Sequence, residues 1–272
     1  MARSKSLGII QGDNDMKKAF IVSVSVVLTT TLGFATTWAQ EESEEPVVYP
    51  VETYTCNYNK GQGPADLEKV IAGWNIYMDE QGASNYFAMT VTPHYFGGET
   101  FDVGWLGAAP TGEELGAGAD SWIADGAKQA ASFAKVLSCD SHSNYATMQI
   151  KESPNGASPD NLVVTFANCS AVSGKTMEDV FTAMDAWTEY SIENGYRNGA
   201  WVMFPAYGVD DVDFDFKLVN GYDNHTDMGK DYDQFTNGGG YEKHAELLGN
   251  VLFCDVTRVY DGVVRRRIAM AE

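Results

Sequence analysis

The chain has 272 residues, 44% of them hydrophobic and 12% aromatic, which is enough apolar material for one or two packed domains. Its 38 acidic residues against 18 basic ones give a formal charge of -20. That balance excludes nucleic acid and anionic lipid as partners, because both need a positive footprint, and Arg265-Arg266-Arg267 is too short a basic run to reverse it.

Met16-Lys17-Lys18 opens a cationic stretch, residues 19–28 form an apolar run, and Thr37 and Ala39 supply small residues before a cleavage point. Residues 1–39 are therefore expected to be a bacterial-type signal peptide. Met16 is the expected true start, since Asp13 and Asp15 stand where such a peptide should be basic. Cleavage removes four basic and two acidic residues, so the mature chain becomes two units more negative than -20. The expected location is the periplasm or the medium, with no membrane attachment after cleavage. Residues 40–50 read as an acidic, Pro-containing leader.

Beyond the leader the chain repeats itself at a shift of 113. Cys56 falls on Cys169, Gly61 on Gly174, Asp66 on Asp179, Trp74 on Trp187, Tyr77 on Tyr190, Phe101-Asp102 on Phe214-Asp215, and, after two inserted residues, Cys139 on Cys254. Matches of rare residues in one register imply two copies of one unit. Residues 51–150 form the first, 151–161 a Pro- and Gly-containing linker, 162–264 the second and 265–272 a tail.

In the first unit, residues 53–58 read as a strand. Leu67, Val70, Ile71, Trp74, Tyr77 and Met78 recur at spacings of three and four, predicting a helix over 65–81 that Pro64 opens and Gly82 closes. Residues 86–96 and 100–106 read as a hairpin around Gly97-Gly98, 113–127 as a helix and 133–139 as a strand. In the second unit the same order gives strand 162–169, helix 177–194, strands 200–207 and 213–220, helix 225–237, a short helical segment at 241–248 and strand 249–257. Each unit thus reads as β-α-β-β-α-β, the ferredoxin-like plan.

Export permits disulfides, and four cysteines allow three pairings. The repeat register favours Cys56 with Cys139 and Cys169 with Cys254, across neighbouring antiparallel strands; four buried free thiols are the alternative.

Two tandem ferredoxin-like units, each with a long first helix, resemble the dimeric α/β barrel superfamily. The resemblance implies an α+β fold in which the two units pair into one barrel-like pseudo-dimer, so that a monomer acts as a dimer, with higher assembly open. It implies pockets between the first helices and the sheet. The superfamily includes cofactor-free monooxygenases, haem proteins, small-molecule lyases and members without known activity, and no haem-peroxidase-type Gly-x-x-Asp-Gly stands here in a suitable context.

His94, His142, His225 and His244 have no counterparts in the other copy. His225 leads them, because Asp223-Asn224-His225-Thr226-Asp227 lies where a strand feeds a helix; helix capping by Asp223 or Asn224 is the plainer account. Asp215, matched by Asp102, is a candidate base or a strut, for instance to Lys217. Trp201, Tyr207, Lys217, Tyr222 and His94 are the expected ligand-binding residues, since the second unit carries the extra aromatics. The acids of 210–215 and Asp231 with Asp233 read as solvent-facing charges rather than a calcium loop, as Phe235 and Thr236 break that pattern. No metal and no cofactor is expected.

Three functions follow. The first is an exported binder of a small apolar or aromatic molecule. The second is a cofactor-free oxygenase or isomerase using His225 and Asp215. The third is a structural module of an extracytoplasmic assembly.

Overall fold

The computed structural model describes residues 47–98, 100–156, 158–209 and 213–268. The signal peptide with its Met16 start, residues 40–46 of the leader, Asp210 to Val212 and residues 269–272 of the tail lie outside the described residues.

The first half of the chain gives β1 (Val48–Tyr58), α1 (Pro64–Glu80), β2 (Phe87–Tyr95), β3 (Val103–Ala108), α2 (Gly112–Asp125), α3 (Ala127–Val136) and β4 (Leu137–Lys151). The second gives β5 (Asn161–Ala171), α4 (Met177–Glu193), β6 (Gly199–Tyr207), β7 (Phe216–Tyr222), α5 (His225–Asn237), α6 (Gly240–Leu247), β8 (Leu252–Cys254) and β9 (Arg258–Arg266). Helix starts follow local chemistry. Pro64 occupies the first turn of α1, and Thr176 and Asp179 close a reciprocal capping box on α4. Gly82, at φ +66°, lets the chain leave α1 through the left-handed region. Among the described residues no helix is long and apolar enough to cross a membrane.

The expectation of two ferredoxin-like β-α-β-β-α-β units paired as a pseudo-dimer is corrected by the sheet. Eight antiparallel strands close on themselves in the order β7-β6-β4-β1-β3-β2-β9-β5, with β5 returning to β7, and β8 adds to the end of β5. The result is a single closed barrel with helices outside. Three local readings change with it. Residues 127–136 are helix where a strand was expected to begin at 133, in keeping with the helix-forming run Ala-Lys-Gln-Ala-Ala-Ser-Phe-Ala-Lys. The strand expected over 249–257 shrinks to β8, and β9 follows it. Lys151 and Asn161, expected in the linker, end β4 and begin β5.

The barrel closes through β4 and β9. β4 pairs β1 on one side and β6 on the other, while β9 pairs β2 and β5, so each bridges the two halves of the chain. The interior is consequently one core, with Val51, Met89, Val91 and Tyr145 from the first half meeting Val164, Met203, Val219 and Tyr260 from the second. Outside, Leu67, Ile71 and Trp74 of α1 pack with Val103 and Val136, and Val180 and Met184 of α4 pack with Val202, Phe216 and Leu248.

Cysteine pairing follows the repeat register. Cys56 is bonded to Cys139 across β1 and β4, and Cys169 to Cys254 across β5 and β8. The matched aspartates do equivalent local work. Asp102 donates its N–H to the Cys56 carbonyl and accepts from Tyr58 N–H at 2.9 Å; Asp215 donates to the Cys169 carbonyl and accepts from Ala171 N–H at 2.8 Å. Each carboxylate thus satisfies backbone at the edge of its own strand pair rather than joining the halves.

Candidate functional site

Among the described residues, two places are the candidates. The first is on the outer face of the seam between β2 and β9. His94 is the extra residue of a β-bulge, since Pro93 pairs Tyr260 and Tyr95 pairs Val259, and bulges re-aim side chains in this way. Asn224 caps α5 by accepting from Asp227 N–H, which fixes His225 as the first helical residue. Asp261 of β9 lies between them, with 3.0 Å from Oδ2 to His94 Nδ1 and 2.7 Å from Oδ1 to His225 Nε2. The imidazole centroids are 4.3 Å apart. Side-chain exposures of 34% for His94, 41% for His225 and 51% for Asp261 leave the cluster open to water.

Partial burial pushes the Asp261 carboxyl up, but hydrogen bonds and charge from His94 and His225 outweigh it and hold it below its usual range. A carboxyl with a lowered folded value stabilises the fold fully above its unfolded value, near 3.8, and loses that contribution as pH falls through the lowered one. In thermal melts between about pH 5 and pH 2, Asp261→Asn is therefore expected to flatten the acid-side fall in melting temperature, an unchanged slope counting against the coupling.

The second place is a cavity of about 60 Å³ between α4, α6 and the outer face of the sheet in the second half. Trp187, Met184, Leu218 and Leu248 form its apolar wall, and Lys151, Asn198 and Asn220 its polar one. The polar wall is internally satisfied. Lys151 Nζ donates to the carbonyls of Tyr196 and Asn198 and to Asn198 Oδ1, while Asn198 Nδ2 donates to Asn220 Oδ1 at 2.8 Å. Burial lowers the Lys151 pKa, opposed by the charge of Asp231, and burial lowers His244, which lies edge-on to Trp187 at 5.1 Å. The Tyr196 hydroxyl is buried without a hydrogen-bond partner among the described residues, and burial pushes it to about 12.

The equivalent space in the first half is filled. Trp105 lies edge-on to Trp74 at 5.0 Å and to Phe133 at 5.9 Å, and the Tyr86 hydroxyl accepts from Trp105 Nε1 and donates to Glu52 at 2.6 Å. The register of 113 puts Leu218 where Trp105 stands, and both pack on the outer face of the sheet, so the cavity lies where an indole has been lost. A larger depression of about 540 Å³ between α1 and α3 is an open surface groove in which Lys69 and Asp66 pair with each other at 2.9 Å. It encloses nothing.

The predicted residues are scattered. Trp201 packs against the barrel core, Tyr207 is exposed at the end of β6, and Lys217 donates to Asn168 Oδ1 at 2.7 Å with its ammonium over the Phe214 ring. Tyr222 lies on the outer face, its pKa raised chiefly by burial and further by Asp231 and Tyr196. His94 and His225 meet each other, but Asp215 does not join them. It precedes β7 and His225 follows it, and a seven-residue strand spans roughly 20 Å. Asp231, expected to face solvent, is buried and accepts from the N–H groups of Arg197 and Asn198. Asp261, Lys151 and Asp231 were missed as site residues; for Asp261 the available signal was an acid inside Val259-Tyr260-Asp261-Gly262-Val263-Val264. His142 is engaged elsewhere, on Glu52 at 2.8 Å and stacked on Tyr54.

No protein-family model and no curated protein matches the chain. Solved structures do. A provisionally assigned chlorite dismutase is similar over 80% of this chain and 95% of its own, with TM-score 0.50 and 11% identity. An anthrone oxidase-like protein is similar over 83% of this chain and 97% of its own, with TM-score 0.50 and 10% identity. A provisionally assigned monooxygenase from Fusobacterium nucleatum subsp. nucleatum covers 81% and 94%, with TM-score 0.51 and 6% identity. These neighbours are of the dimeric α/β barrel superfamily, and identities this low show the fold alone.

Proposed function

We propose that the protein is an exported, disulfide-stapled binder of a small apolar molecule, built from a duplicated half and holding its ligand between α4, α6 and the sheet. The cavity beside Trp187 carries this reading. Its polar wall needs nothing from a guest, so affinity comes from apolar surface taken out of water, at about 25 cal/mol per Å². Its size sets the scale of the ligand. Drug-sized ligands occupy roughly 300–1,000 Å³, whereas about 60 Å³ admits a guest of a few heavy atoms. The Cys, Trp and Phe-Asp matches support duplication, and the cationic and apolar run at residues 16–39 supports export to the periplasm or medium. The oxygenase or isomerase reading is not taken further, because His225 and Asp215 are separated by the length of β7.

Xenon and benzene are suitable probes of such a cavity. Amide shifts on adding either gas or ring are expected in residues 184–191 and 244–252, and Leu218→Trp, which restores an indole where Trp105 stands in the first half, should abolish them while keeping or raising the melting temperature. A wild-type protein that shifts with neither probe would end the proposal.

A further inference from the structure

We propose that His94, His225 and Asp261 form a binding site for a divalent first-row transition-metal ion of the zinc class. The donors come from three separate elements, and one ligand atom from each lies within 4.8 Å of the others. Imidazole nitrogen with one carboxylate oxygen suits zinc, copper, nickel or iron rather than calcium or magnesium, which prefer all-oxygen shells. Three protein ligands leave further positions for water, and the exposure of the cluster supplies both that water and an entry path.

The geometry needs adjustment by side-chain rotation rather than by movement of the backbone. Metal–nitrogen and metal–oxygen bonds of about 2.0–2.2 Å place tetrahedral ligands roughly 3.3 Å apart. The nitrogen-to-oxygen separations of 3.0 and 2.7 Å must widen towards that edge, and the two nitrogens lie within 4.8 Å of each other. The supports are rigid where it matters. Asp261 is laddered to Thr92 on one side and Val163 on the other, His94 is aimed by its bulge, and His225 is fixed by the Asn224 cap.

Charge favours the exchange. When both imidazoles are neutral, each donates an N–H to the carboxylate and the cluster carries one net negative charge. For the ion to bind, the His94 proton moves to Nε2 and the His225 proton to Nδ1, so both facing nitrogens offer lone pairs and no proton need be released. The divalent ion then replaces two hydrogen bonds with three ligand bonds, in a protein whose charge of -20 concentrates cations near its surface. No metal was expected from the sequence, where the acidic run breaks the calcium-loop pattern at Phe235 and Thr236, and 94, 225 and 261 are far apart. Closure of the barrel is what brings β2 and β9 together.

The test uses the untagged protein, stripped of metal by chelator and titrated with Zn²⁺ by calorimetry and with Co²⁺ by visible absorption. One equivalent is expected to bind, with d–d bands for Co²⁺. His94→Ala and His225→Ala should each weaken binding by at least about tenfold, and the double variant should lose the equivalent altogether, while His142→Ala and His244→Ala leave it intact. Should the double variant fail to fold, ring-proton shifts of His94 and His225 in wild type on adding Zn²⁺ decide the question. Absence of a stoichiometric ion in wild type, its retention in a folded double variant, or unmoved ring protons would overturn the proposal. The outcome is independent of xenon or benzene binding near Trp187.

Discussion

Lys151→Met is expected to destabilise the protein by about 3–5 kcal/mol, read as a fall in the urea midpoint with the slope unchanged. Lys151 is 5% exposed, and all three protons of its ammonium are used, by the carbonyls of Tyr196 and Asn198 and by Asn198 Oδ1. Asp231, 4% exposed, holds the same short segment from the other side. It accepts from Arg197 N–H at 2.8 Å and Asn198 N–H at 3.2 Å, and Arg197 Nη1 stands 3.7 Å away. Burial lowers the Lys151 pKa and raises that of Asp231, so each charged form is disfavoured by its surroundings and relies on its partners. A methionine removes the cation, strands three acceptors and leaves Asp231 with less compensation. Because the segment opens β6, whose Ala200 pairs Lys151 across the seam, the damage reaches barrel closure as well as the cavity wall. Adding Asp231→Asn to Lys151→Met should cost clearly less than the two single losses combined; strict additivity would show that the groups do not act through the shared 196–198 segment.

The same lysine shows where sequence reading reaches its limit. The amphipathic stripes of α1 and α4, the cap at Asn224 and the cysteine register are local or repeated signals, and each places its element within a residue or two. β4 and β9 give no such signal. A strand between a packed barrel interior and covering helices is buried on both faces: Tyr145 and Thr147 point inward, Met148 and Ile150 pack with α4, and the period-two alternation is lost. Residues 140–150 therefore carry no predicted element, and Lys151 reads as a linker charge. Asp261 escaped for the same reason, inside a strand whose partners, Thr92 and Val163, lie far away in sequence. His94 and His225 were identifiable as unmatched histidines, but their carboxylate was assigned to Asp215, whose repeat partner Asp102 shows that it serves a backbone edge common to both halves.

Removing either disulfide is expected to cost about 4.5 kcal/mol in the chain-entropy model, since the bridges close loops of 83 and 85 residues. Equal loops predict equal losses of global stability for Cys56→Ser with Cys139→Ser and for Cys169→Ser with Cys254→Ser. The native states should nevertheless respond differently. Cys139 belongs to a fifteen-residue strand paired with β1 from Tyr58 to Val48 and with β6 beyond, so its neighbourhood remains laddered when the bond is gone. Cys254 belongs to β8, a three-residue strand paired only with Cys169, Ser170 and Ala171 at the end of β5. Without its bridge, β8 retains that short ladder, the Asp255 bonds to Asn168, and the packing of Leu252 against the α4 cluster. Native-state hydrogen exchange should therefore show fast local opening at residues 252–254 in the second variant and full protection of 137–151 in the first. Since Leu252 and Cys254 also line the cavity beside Trp187, that opening should loosen xenon binding in the second variant alone. Matching exchange patterns in the two variants would mean that β8 is held by its ladder and side-chain packing rather than by its sulfur bridge.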